Sequence, residues 1–213
     1  ELPEGNYYLS NSFEPNYSIL VKGNVTICLN GHNINMKSAG NVFEVDKGGT
    51  LTLTDCKGNS SISHSDVAWG RGVLVSKGTF NMYGGEISGN EVSSNGGAVF
   101  VWKDTFNMYG GSITGNTADY YGGGVDVYGT FNMFDGTISG NKVTNATMKE
   151  HGGGGVWVDT DGIFCMKGGS ITGNTAYPYK YDDNKANGGG VYCQGSLELS
   201  GSPVIEGNKL TTG

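Results

Sequence analysis

A seven-residue segment recurs along the chain, and its recurrence limits the fold more than any other feature. TFNMYGG occupies 79–85 and 105–111, TFNMFDG 130–136 and IFCMKGG 163–169, with more distant relatives TLTLTDC at 50–56 and SLELSGS at 196–202. Successive starts lie 29, 26, 25, 33 and 33 residues apart. Periods of this length belong to solenoids, in which one unit cannot bury its apolar face until a neighbour stacks on it. Each copy is followed by a second short segment ending in GN: EISGN at 86–90, SITGN at 112–116, TISGN at 137–141, SITGN at 170–174 and PVIEGN at 203–208. A third closes the unit: GGAVFV at 96–101, GGGVDV at 122–127, GGGVWV at 153–158 and GGGVYC at 188–193, with GVLV at 72–75 as an earlier relative.

Residues two apart on a strand share a face, so Phe80 and Met82, Phe106 and Met108, Phe131 and Met133, and Phe164 and Met166 point inward together. The second segments add Ile87, Ile113, Ile138, Ile171 and Ile205, and the third add paired valines such as Val125 and Val127. The 39 glycines against four prolines, with no Gly-X-Y period and no helical stripe, agree with short strands and frequent turns. The expected fold is all-β: a right-handed, single-stranded parallel β-helix of about seven coils with three short strands per coil. One domain spans 1–213, with 1–48 as an N-terminal cap and entry coil, 49–208 as repeat coils and 209–213 as a tail. Asn90, Asn116, Asn141, Asn174 and Asn208 fall at one corner of successive coils and predict a structural column of stacked amides.

A net charge of −7 with one arginine, Arg71, argues against nucleic acid or anionic lipid as partner, because both require clustered cations. No stretch is long and apolar enough for a helical membrane span, so no membrane insertion is expected. The start at Glu1, without an initiating Met, reads as a piece of a longer multidomain chain. Four cysteines without CxxC spacing make a thiolate metal site improbable. Cys28 and Cys56, one early repeat apart, are candidates for a bridge between neighbouring coils, and Cys193 stands where other repeats have valine.

The units GN-x-A-x(n)-GGGV at 115–125 and 173–191 resemble the GGA[I/V] and FxxN repeats of polymorphic-outer-membrane and adhesin β-helices. LPEGNYYL and VTICLNGHNI near the N-terminus resemble the entry coil of pectin-lyase-like bacterial surface proteins. The resemblance covers about 25–213; it implies a secreted or cell-surface location and fixes architecture more than activity, since this fold hosts lyases, hydrolases, adhesins and inert stalks.

Packing explains the inward positions, so function is sought outside. On the third segment the outward column reads Leu74, Phe100, Asp126, Trp157 and Tyr192, with Trp102 and Tyr128 two residues beyond Phe100 and Asp126. Flat rings around an acidic acceptor suit sugars, whose C–H faces stack on aromatics while carboxylates take the hydroxyls. The same column also reads as cross-strand packing without a ligand. The loops between GN and GG lengthen through 5, 5, 10 and 13 residues toward the C-terminus. Decorated corners of a rigid rod are common sites of function. The corner loops offer Asp119, Tyr120 and Tyr121, then Tyr177, Tyr179, Tyr181, Asp182 and Asp183. Asp182 and Asp183 supply oxygen ligands for a hard cation such as calcium, the one cofactor considered, although no loop matches an EF-hand or GGxGxD repeat.

Threonines and asparagines facing outward on the first segment form a regular array that resembles the ice-binding faces of some β-solenoids, but Ile163 and Cys165 break it and polar β-formers on an exposed strand explain it without a ligand. The histidines His32, His64 and His151 fall in the cap and loops rather than beside a carboxylate cluster, which disfavours a polysaccharide-cleaving enzyme. The leading expectation is a non-catalytic adhesin-type module that binds glycan or a host or partner protein surface. A ligand-free spacer and a lyase- or hydrolase-like enzyme are the alternatives.

Overall fold

The computed structural model describes residues 1–65, 69–144, 152–177 and 187–211. Its strands stack into parallel sheets, one rung per coil, forming a parallel β-helix. The first sheet runs through Gly5–Tyr8, Asn24–Cys28, Gly49–Thr54, Gly78–Met82, Thr105–Met108, Thr130–Met133, Ile163–Met166 and Ser196–Leu199. The second contains the xIx strands from Ile34–Met36 to Val204–Glu206, and the third the strands from Ile19–Val21 to Val191–Cys193. Beyond these three principal sheets, a two-residue strand after most GN corners builds a fourth, from Glu91–Val92 to Lys209–Leu210. The segment 1–48 is itself built of rungs: Gly5–Tyr8 pairs with Asn24–Cys28, and Ile19–Val21 with Phe43–Val45.

Equal residues pair with equal residues, so register follows the sequence repeat. Phe80, Phe106, Phe131 and Phe164 are register partners in succession, as are the corresponding methionines. The four rings stack nearly parallel at centroid distances of 4.9, 4.7 and 4.7 Å. Slipping one strand by one residue would turn these side chains out and the asparagines in, which is what fixes the register.

The asparagine column is hydrogen-bonded throughout, buried from Asn90 to Asn174 and half-buried at Asn208. Asn90, Asn116, Asn141 and Asn174 each donate from Nδ2 to Oδ1 of the next member, at 2.9–3.0 Å. The same amide groups reach the carbonyls of Ile62, Ile87, Ile113 and Ile138. His64 stands at the head of this column, with Nδ1 2.8 Å from Asn90 Oδ1 and Nε2 3.0 Å from the Gly40 carbonyl.

The glycine triplets have separate reasons. Gly122 sits at φ +56°, and a Cβ on Gly123 would lie 2.4 Å from the Lys142 carbonyl oxygen. A Cβ on Gly124 would lie 2.6 Å from the Gly155 carbonyl oxygen. The corner is thus tight because neighbouring backbones touch, and only a residue without Cβ lets them do so.

Cys28 and Cys56 form a disulfide with Cα atoms 6.4 Å apart, while Cys165 and Cys193 are free thiols. At the N-terminal end an apolar cavity of about 280 Å³ opens among Leu2, Tyr7, Leu9, Phe13, Ile19 and Ile34. Its lining continues the inward columns and brings no chemistry. At the other end Leu197, Leu199, Ile205 and Leu210 hold inward register positions but are exposed, since no further described rung covers them.

Candidate functional site

The outer side of the third sheet carries the densest grouping of aromatic and titratable side chains outside the core. Register partnership sets Phe100, Asp126, Trp157 and Tyr192 on successive rungs. Phe100, Trp102 and Tyr128 form a three-ring cluster with centroids 5.1–5.8 Å apart. Trp102 is 47 % exposed, so one large ring faces solvent while its neighbours hold it in place. Burial, and then the nearby carboxylates of Asp126 and Asp159, raise the Tyr128 pKa and keep the phenol protonated.

Two positions depart from the reading of a solvent-facing column. Asp126 is wholly buried and Trp157 only 2 % exposed, although both point away from the core. One cause is visible: the Tyr121 ring crosses to Trp157 at a centroid distance of 4.3 Å, and Tyr192 packs against Trp157 at 4.5 Å. The rings lie on one another, leaving Trp102, and in part Phe100, Tyr128 and Tyr192, as the accessible portion.

Burial dominates the electrostatics of Asp126. Desolvation, reinforced by Asp159, pushes its carboxyl well above the usual carboxylate range, and Arg71 only partly opposes this. The Asn95 side chain and the Val127 N–H also pull downward, yet neither carboxylate oxygen has a partner at hydrogen-bonding geometry. The Arg71 guanidinium donates from Nε to the Asn95 carbonyl and from Nη2 to Ser94 Oγ, and lies 5.1 Å over the Phe100 ring. Burial lowers its pKa, and Asp126 counteracts that.

The corner loops contribute unevenly. Asp119 accepts a hydrogen bond from Thr144 Oγ1, Tyr120 donates its N–H to the Ser94 carbonyl, and Tyr177 is 38 % exposed. Tyr179, Tyr181, Asp182 and Asp183 lie outside the described residues, and so does the candidate calcium site. Among the described residues no group of three His, Cys, Asp or Glu side chains is placed to hold a metal.

In the sequence Arg71 stands out only as the single arginine. Its partners lie along the solenoid axis, Phe100 one rung away and Asp126 two. A second aromatic column was also missed: Tyr83, Tyr109 and Phe134 stack at 4.5 and 4.8 Å, closed by Lys167 over Phe134 at 5.0 Å. The fifth position of TFNMYGG was its signal. Tyr109 is stacked on both faces, while Tyr83 ends the column with one ring partner and is 53 % exposed.

No family model matches the chain, and neither the curated proteins nor the solved structures contain a match.

Proposed function

We propose that this chain is a non-catalytic glycan-binding module of a secreted or cell-surface bacterial protein, working through the outer face of its third sheet. The observation that carries the reading is the Trp102 ring, half exposed and braced by Phe100 and Tyr128. A rigid, half-exposed aromatic loses little entropy on binding and offers the flat apolar surface on which a sugar C–H face stacks. The polymorphic-outer-membrane-type and pectin-lyase-like resemblances agree with a surface module, and a host or partner protein surface is the other ligand class they suggest. A ligand-free spacer is the second reading, favoured by the close packing that withdraws Asp126 and Trp157 from solvent.

A panel of immobilised neutral and acidic polysaccharides probed with the wild-type protein and with Trp102→Ala separates the two. The binding reading predicts retention on a subset of glycans and a loss of tenfold or more in Trp102→Ala, at unchanged thermal stability. Absence of retention on every glycan, or equal retention by the variant, favours the spacer.

A further inference from the structure

Buried polar atoms without partners occur in the same outward column as Phe100. Both carboxylate oxygens of Asp126 and the indole Nε1 of Trp157 are buried without a hydrogen-bond partner. The two residues are register partners on adjacent strands, 125–127 and 156–158, so the unsatisfied atoms belong to neighbouring positions of one column. A buried polar atom left unpaired is costly, and native proteins seldom concentrate such atoms without a use.

The chemistry of the pair narrows what would satisfy it. The indole N–H requires an acceptor, and the carboxyl oxygens have acceptor capacity to offer. A hydroxyl group answers both from a single atom, accepting from Trp157 and donating to Asp126. We infer that Asp126 and Trp157 form a hydroxyl-reading subsite that selects uncharged sugars over uronates. This rests on the glycan-binding reading above and names the ligand class within it.

Charge supports the selection. Asp159 acts on Asp126 electrostatically, so a uronate would bring a third carboxylate into a poorly solvated cluster. The cation of the cluster, Arg71, is already bonded to the Asn95 carbonyl and to Ser94, and lies over Phe100. Entry of a sugar requires the Tyr121 ring, 4.3 Å from Trp157 between centroids, to move aside.

Titration calorimetry of the wild-type protein, Asp126→Leu and Trp157→Phe against neutral gluco-, galacto- and manno-oligosaccharides and against oligogalacturonate tests this. The wild-type protein is expected to bind at least one neutral series and to bind the uronate ten or more times more weakly. Each variant should weaken the neutral ligand about tenfold, the worth of a buried hydrogen bond, with Trp157→Phe keeping its ring surface. Unchanged neutral affinity in both folded variants would mean that a buried water serves these atoms, and the subsite would be rejected while glycan binding stood. Equal affinity for uronate and neutral sugar overturns the selection. No heat with any sugar removes the glycan-binding reading itself. The neutral-versus-uronate comparison uses unaltered protein, so it stands even if a variant misfolds.

Discussion

Asp126 has the clearest consequence at the scale of single residues. Its carboxyl holds a proton more tightly in the folded chain than in the unfolded one, where the ordinary value is near 3.8. Stability from this group is therefore fully present below about pH 3.8 and is lost as pH rises toward the elevated folded value. Asp126→Asn removes that dependence while keeping the shape. Urea unfolding across pH 4–8 should show the variant gaining on the wild type as pH rises, by on the order of 1–3 kcal/mol at neutrality. A constant difference between the two would contradict the assignment. Asn116 has the opposite role: its amide serves the Ile87 carbonyl and Asn141 Oδ1 together, so Asn116→Ala should cost about 2–4 kcal/mol in the same measurement. Both columns were visible in the sequence as repeat positions, but the burial of Asp126 and Trp157 was not. Strand alternation says only which side of the sheet a residue faces; Tyr121 folding back across Trp157 is a loop event with no period.

Among the elements, the stacked phenylalanines and the glycine corners carry the fold. Phe106 lies between Phe80 and Phe131 at 4.9 and 4.7 Å, so Phe106→Ala loses contacts on both faces and should cost about 3–5 kcal/mol. Gly123→Ala should be at least as damaging in thermal melts, because the new methyl meets the backbone of the adjoining coil rather than a side chain that can move. The Cys28–Cys56 disulfide closes a separation of 28 residues. By loop-closure entropy, replacing both cysteines with serine should cost about 3 kcal/mol, read as a lowered melting temperature. The principal strands and their register were legible because TFNMYGG repeats both in pattern and in residue identity. The two-residue strands of the fourth sheet were not, since pairs such as Thr117–Ala118 are too short to show alternation. The Arg71 arrangement escaped notice for a related reason: its partners lie 23 and more residues further along the sequence.

For the whole molecule, the parallel β-helix is a rigid frame that turns sequence repeat into spatial repeat, so one outward position becomes one column. Most columns are used up in stabilising the frame: phenylalanine and methionine inside, asparagine at a corner, threonine and asparagine outside. The third sheet differs because its outward column changes character at every rung, from Leu74 through Phe100, Asp126 and Trp157 to Tyr192. Repetition would have sufficed for support; variation at this one face is what a binding surface requires. The most direct test uses the indole N–H signals of the unaltered, isotope-labelled protein during titration with neutral oligosaccharides. The account predicts saturable shifts of the Trp102 and Trp157 indole resonances at a common affinity, with Trp69, which has no assigned part in the site, unmoved. Stationary Trp102 and Trp157 signals at saturating sugar, or a shift confined to Trp69, would contradict it.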